Sequence, residues 1–270
     1  MITWLASYPK SGNTWVRLLI NAYFNDGHLD INRLPWGTGD NRPYYYQAVS
    51  PKPIQQLTRE EIVLLRPAAL LNLIEGVAQK PLLVKTHHVV GSINDIPLIP
   101  LIMTKRAFYI VRDPRAVCAS YARHMDISID ESIGQMRDPE WTIGETAQFF
   151  HTLSTWSSHV SSWINCEAFP VHLVKYENLI DDPGRVLRGM LERIGFEDID
   201  DDRIQRAVDA CTLRNLQMQE AEHGFEESPR DLHFFGGKPW QQVLTEEQVH
   251  RIESDHKSIM DQLGYDPITL

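Results

Sequence analysis

Cysteine is scarce in this chain: Cys118, Cys166 and Cys211 are the only three among 270 residues. They lie far apart and form no Cys-x-x-Cys, which speaks against a disulfide framework and a structural zinc site and fits a reducing compartment. Long apolar runs are missing too. The stretch Trp15 to Phe24 is short and interrupted by Arg17, so nothing approaches the ~20 apolar residues that a membrane span needs. No basic segment precedes the first apolar run, and Tyr8-Pro9-Lys10 breaks that run at once, unlike a secretory signal. The expectation is a cytoplasmic protein with no membrane partner. Positive charge is in deficit, with 26 Lys and Arg against 36 Asp and Glu and a formal net charge of −10. Non-specific nucleic-acid binders carry a basic excess, so no nucleic-acid partner is expected, and any anionic ligand must be held by a local cluster of donors. The 11 histidines include no His-x-x-x-His and meet no carboxylate cluster, so no metal is expected. Internal repeats, low-complexity tracts and domain linkers are absent as well, and residues 1–270 read as a single domain.

What is present is an alternation of short apolar runs with amphipathic segments. Ile2 to Ala6 reads as a buried strand and Ser7 to Gly12 as a loop. Asn13 to Phe24 follows as a helix, with Val16, Leu19, Ile20 and Tyr23 at helical spacing. Residues 26–56 form an irregular excursion. Thr58 and Glu61 make a capping box. Pro81 to Val84, Ala107 to Val111 and Pro170 to Val174 are further strand candidates. Asp113-Pro114 and Asp182-Pro183 each pair an N-cap with proline at the first helical position. The pattern predicts one long helix over 140–165, with Phe149, Leu153, Trp156 and Trp163 on related faces. Another runs from the Thr245/Gln248 capping box to Gly264. Strands alternating with helices imply a parallel α/β sheet. Gln217 to Gly237 is the segment expected to move most.

Four segments carry chemistry. In Ser7-Tyr8-Pro9-Lys10-Ser11-Gly12-Asn13-Thr14-Trp15 a loop meets a helix N-terminus, whose unpaired N–H groups and positive dipole end suit phosphate or sulfate. Lys10 adds a full charge, Ser11 and Thr14 add hydroxyls, Gly12 permits a tight backbone, and Trp15 offers a flat face to a base. This is not a Walker A loop, because Lys10 precedes the only glycine. Val84-Lys85-Thr86-His87 ends a strand, where ligand sites of open α/β sheets lie. A histidine there is also read as a hydrogen-bonded structural residue, and the neighbouring His88 is the alternative, expected on the other side of an extended chain. Arg112 leaves a strand ahead of a capped helix that carries Ser120, and a guanidinium fork suits a phosphate. Arg115 reads as part of a solvated helix face. Val174-Lys175-Tyr176-Glu177-Asn178-Leu179 is the fourth segment.

Together, in this order and spacing, these segments resemble the sulfotransferases that use 3′-phosphoadenosine 5′-phosphosulfate, and the resemblance covers most of the chain. It implies a three-layer α/β fold with a central parallel sheet and flanking helices, of the P-loop nucleotide-kinase-like kind. The activity it implies is sulfuryl transfer to a hydroxyl of a small-molecule acceptor. Lys10, Ser11, Gly12, Asn13, Thr14 and Trp15 would form the 5′-phosphosulfate loop, with Asn13 in place of a commoner threonine. His87 would be the catalytic base, with Lys10 and Lys85 stabilising charge. Arg112 and Ser120 would hold the 3′-phosphate and Tyr176 would approach the adenine. Thr212 and Leu213 sit where the family contacts adenine, or pack a helix end. One departure stands out: the Arg-Lys pair that the family places before Gly-x-Trp is absent from Phe234-Phe235-Gly236-Gly237-Lys238-Pro239-Trp240. Lys238 is the nearest substitute, or is simply solvated, and Arg230 is a more distant one. No dimerisation motif is recognisable, so the oligomeric state is open. Two rivals remain, a P-loop kinase using ATP and magnesium and a non-catalytic nucleotide-binding protein on the same fold. Residues 26–80, 125–150 and 217–237 are expected around the acceptor, with Trp36 and Tyr44-Tyr45-Tyr46 either lining its pocket or packing a loop.

Overall fold

The structure, a computed structural model, describes residues 1–144, 150–228 and 233–267. The chain opens with β1 (Ile2–Ser7), α1 (Asn13–Phe24), β2 (Thr38–Gly39), α2 (Pro43–Gln47), α3 (Arg59–Gly76) and β3 (Leu82–Thr86). A ribbon of β4 (Ser92–Ile93) and β5 (Ile96–Pro97) precedes β6 (Thr104–Val111), α4 (Pro114–Met125) and α5 (Ile129–Met136). A second ribbon, β7 (Thr142–Ile143) with β8 (His151–Thr152), leads to α6 (Trp156–Ile164) and β9 (Val171–Lys175). The helices α7 (Tyr176–Asp181), α8 (Pro183–Ile194), α9 (Asp201–Ala210), α10 (Leu213–His223) and α11 (Glu246–Leu263) follow.

These elements fall into two compact units. The first comprises Met1–Tyr8, Trp36–Ile110 and Asp138–Leu173. It holds the five-stranded sheet, in the order β2-β3-β1-β6-β9, the last strand running on past Leu173. β1 pairs in parallel with β3, Ala6 opposite Thr86, and with β6, Ser7 opposite Ile110. All six residues of β1 are buried, which is why it reads as a continuous apolar run rather than an alternating one. The indole N–H of its Trp4 is satisfied, since Nε1 donates to Thr104 Oγ1 at 2.9 Å. Tyr46, Ile54, Leu57, Ile62, Val63, Ala69 and Phe150 form a second apolar cluster in this unit. The capping box of Thr58 and Glu61 starts α3 as the sequence predicts.

The second unit comprises Pro9–Pro35, Val111–Arg137 and Val174–Leu270. Here α1 packs on α9, and α4 packs on α5 and α11. The side chains of Asp113 and Asp182 cap α4 and α8, with Pro114 and Pro183 following. Gly195 and Gly264 close α8 and α11 in the left-handed conformation, where a side chain would be strained.

Two expectations are corrected. The long helix over 140–165 does not form. The β-branched Thr142, Ile143 and Thr152 favour the β7–β8 ribbon instead, and the helix begins only at Trp156, where Thr155 caps it by accepting from the Ser158 N–H. Trp156, His159, Val160 and Trp163 then form its buried face, while Phe149 lies outside the described residues. Arg115 is not solvated. It is 5% exposed, pairs with Asp113 at 2.8 Å and Glu253 at 2.6 Å, and lies over the Trp240 ring at 4.5 Å. Spacing on α4 could not reveal this, because Glu253 and Trp240 are more than a hundred residues away in the chain. Part of the segment expected to move most, Gln217 to His223, is the second half of α10, and Arg230 lies outside the described residues.

Candidate active site

In the first unit the chemistry gathers just past β3. The Nδ1 of His87 lies 2.7 Å from the Ser7 carbonyl. A carbonyl can only accept, so Nδ1 carries the proton and Nε2 keeps its lone pair. The backbone around this ring is fixed by ring donors: His159 Nε2 donates to the His87 carbonyl at 3.1 Å, and Trp163 Nε1 to the His88 carbonyl at 3.0 Å. Because His159 Nε2 donates, its Nδ1 accepts from the Tyr109 hydroxyl at 2.8 Å. Burial first, then the charges of Lys85 and His151, hold His87 well below the usual imidazole range, with the Ser7 carbonyl acting the other way. His87 is therefore neutral at pH 7, as a base must be.

The strand ends at Thr86, and the rings of both His87 and His88 meet that of His151, at 5.4 and 4.8 Å between centroids. His88 is 2% exposed and its Nδ1 accepts from the Thr152 N–H at 3.1 Å. It sits in a buried polar network centred on Asp40. Arg66 donates to Asp40 Oδ2 at 2.6 Å, Thr86 to the same oxygen at 2.8 Å, and His151 Nε2 lies 3.3 Å from Oδ1. Although Asp40 is fully buried, which raises a carboxyl, the Arg66 charge and the His151 hydrogen bond prevail and hold it well below the usual range. No carboxylate–histidine cluster was visible in the sequence, yet the fold makes one: Asp40, His88 and His151 bring ligand-type atoms within 4.8 Å of one another. The carboxylate charge is already balanced by Arg66, so the trio reads as a structural hub. A cavity beside it is lined by Asn41, Tyr46, Ile62, Val63, Arg66, His88 and Phe150. Tyr46 packs in the core there and its hydroxyl accepts from Arg66 at 3.2 Å, whereas Tyr44 is exposed.

In the second unit the loop ahead of α1 is built for a close approach. Lys10 and Gly12 have φ of 65° and 103°, and a left-handed lysine is strained by about 1–3 kcal/mol. A Cβ on Gly12 would stand 2.4 Å from the Tyr176 ring. That ring also meets the Trp15 ring at 5.8 Å and lies under the Arg112 guanidinium at 4.2 Å. Arg112 donates to the Lys10 carbonyl at 3.1 Å. Thus Lys10, Gly12, Trp15, Arg112 and Tyr176, drawn from three distant stretches of chain, meet in one place. Trp15 Nε1 donates to the Cys211 carbonyl at 3.2 Å, which brings the 211–213 stretch to the same cluster. Ser11 is 1% exposed and its Oγ has no partner among the described residues. A buried hydroxyl without a partner is costly, and a phosphate or sulfate oxygen would satisfy it.

The other expected residues divide. Asn13 and Thr14 start α1, and Thr14 Oγ1 donates to Glu227 at 3.2 Å. Ser120 is on α4 as the spacing predicts. Thr212 caps α10, accepting from the Asn215 N–H, and Leu213 is exposed. Lys85 is half-buried in β3, and Lys238 is exposed. Ser7, Asp40, His151 and His159 carried no signal in the sequence. The side-chain partners that place them lie 26 or more residues away in the chain.

The sequence model described as Sulfotransferase domain matches residues 2–264. The chain belongs to the sulfotransferase family. Among curated relatives, sulfotransferase 1A1 of Canis lupus familiaris is 21% identical over 272 residues, covering 96% of this chain and 83% of the relative. Among solved structures, retinol dehydratase in complex with androsterone and inactive cofactor PAP aligns with a TM-score of 0.62 at 19% identity, over 96% of this chain and 80% of that one. Retinol dehydratase in a complex with retinol and PAP aligns with a TM-score of 0.59 at 18% identity, over 96% and 81%. At these identities the likeness is one of fold: this sulfotransferase has the central parallel sheet with flanking helices that its sequence implies. Among its described residues no helix is long and apolar enough to cross a membrane.

Proposed function

We propose that this sulfotransferase moves a sulfuryl group from 3′-phosphoadenosine 5′-phosphosulfate to a hydroxyl of a small-molecule acceptor, residues 1–270 acting as one catalytic domain. The observation that carries the reading is the hydrogen bond from His87 Nδ1 to the Ser7 carbonyl, which leaves Nε2 as an available base. His87 Nε2 takes the proton of the acceptor hydroxyl as its oxygen attacks sulfur in line. The bond from sulfur to the bridging phosphate oxygen breaks, and adenosine 3′,5′-bisphosphate leaves. Lys10 and Lys85 stabilise negative charge on the transferring group and on the leaving oxygen. The unpartnered Ser11 hydroxyl and the N–H groups at the start of α1 receive the 5′-phosphosulfate, Arg112 and Ser120 receive the 3′-phosphate, and Trp15 and Tyr176 flank the adenine.

PAP, the bisphosphate, accompanies both retinol dehydratase structures, and androsterone and retinol, the ligands there, are apolar alcohols; this supports an alcohol or phenol as acceptor. The three cysteines are free thiols, in keeping with a reducing, cytoplasmic setting. Transfer measured with the sulfuryl donor in excess EDTA, against ATP with magnesium, tests the assignment. Turnover of the sulfuryl donor in EDTA is expected; turnover of ATP with magnesium alone would make the protein a kinase.

A further inference from the structure

We propose that Arg123 is a further anion-binding residue of the donor site, gripping the ribose 3′-phosphate together with Arg112 and Ser120. The inference rests on the proposed donor and adds a residue to its binding. Arg123 lies three positions after Ser120 on α4, so the two side chains share a helix face. Its guanidinium makes no ion pair among the described residues. Among the described residues it donates to the carbonyls of His233 and Phe234, at 3.3 and 3.4 Å, which uses two of its five N–H donors. Burial and the nearby positive charge of Arg112 both lower its proton affinity, and Glu220 offsets them in part. Two guanidinium groups within electrostatic reach repel unless an anion joins them, and a phosphate dianion takes both in bidentate fashion.

The backbone over Arg123 is shaped to leave room for it. Gly236 and Gly237 have φ of 97° and 154°, and a Cβ on Gly237 would stand 3.1 Å from the Arg123 Cζ. The strap is held from its other side by Glu220, which accepts from the Phe234 and Phe235 N–H groups, and by Gln217, which donates to the Phe235 carbonyl at 3.3 Å. The strap therefore packs on one side of the Arg123 guanidinium, which is otherwise exposed, as Lys238 is. Arg123, not Lys238, is the cation that this geometry offers to a phosphate near Ser120.

The test is calorimetric binding of adenosine 3′,5′-bisphosphate and of AMP, which lacks the 3′-phosphate, to the native protein and to Arg123→Gln, Arg123→Lys and Lys238→Ala. Arg123→Gln is expected to weaken the bisphosphate by about 10–100-fold, the range for a charge-assisted hydrogen bond, with AMP unchanged. Arg123→Lys, which keeps the charge and loses the fork, should weaken it less, and Lys238→Ala should leave it unchanged. Undiminished bisphosphate binding in Arg123→Gln, or an equal loss for both nucleotides, would overturn the role of Arg123 while the native preference for the bisphosphate upholds the donor. A native protein that binds both nucleotides alike would overturn the donor itself. Should Arg123→Gln fail to fold, Arg123→Lys carries the same comparison.

Discussion

His87 and Ser7 are joined by a 2.7 Å contact between an imidazole Nδ1 and a backbone carbonyl, and this fixes the tautomer of the ring. His87→Ala is expected to lower kcat by about 10²–10⁴-fold, the usual worth of a general base, with bisphosphate affinity unchanged. The check is steady-state turnover beside calorimetry on the same preparation. Full turnover in His87→Ala would remove the base from the mechanism.

Lys10 stands at the turn before α1 in a left-handed conformation, with its Nζ 3.8 Å from the centroid of the Phe234 ring. Lys10→Ala should lower kcat far more than it raises the donor KM, because charge on the leaving oxygen grows in the transition state. A change in KM alone would make Lys10 a ground-state binding residue.

Asp40 and Arg66 are both buried, with side chains 0% and 3% exposed. Removing one partner of such a pair leaves an uncompensated charge, so Asp40→Asn is expected to cost about 3–5 kcal/mol in stability. Urea unfolding measures it. A loss below about 1 kcal/mol, the worth of an exposed pair, would mean that Asp40 is not the hub of that network.

Acid should destabilise the protein through its buried histidines. His159 and His256 are each pushed down to about 4 by burial, and His87 and His88 are also held well below the usual imidazole value of 6.5. As pH falls below 6.5 the unfolded chain binds protons that the folded one refuses, so stability falls. The slope is up to about 1.4 kcal/mol per pH unit for each such histidine. The depressed Asp40 acts in the same direction at lower pH. Melting temperatures between pH 8 and pH 4 should drop from about pH 6.5 downward, and the acid limb of kcat/KM should have its midpoint below 6.5. Stability that is flat across this interval would contradict the buried neutral histidines.

Local signals were the legible ones. The caps at Thr58, Asp113, Asp182 and Thr245 and the run Ile2 to Ala6 are contiguous in the chain, and each forms the element its residues favour. The loop between the end of β1 and the start of α1 was legible for the same reason. What stayed hidden depends on pairing over distance. Arg115 looked solvated until Glu253 and Trp240 closed on it. His151 fell within a predicted helix, yet it sits in a short ribbon beside Asp40. The positive φ of Lys10 has no sequence signal, since lysine does not favour that conformation.

Mass spectrometry of a panel of alcohols and phenols, incubated with the native protein and 3′-phosphoadenosine 5′-phosphosulfate, tests the central claim most directly. The account predicts at least one acceptor gaining a sulfuryl group, with adenosine 3′,5′-bisphosphate appearing in equal amount and both lost in His87→Ala. Bisphosphate released without any sulfated acceptor, or sulfated product undiminished in His87→Ala, would contradict it.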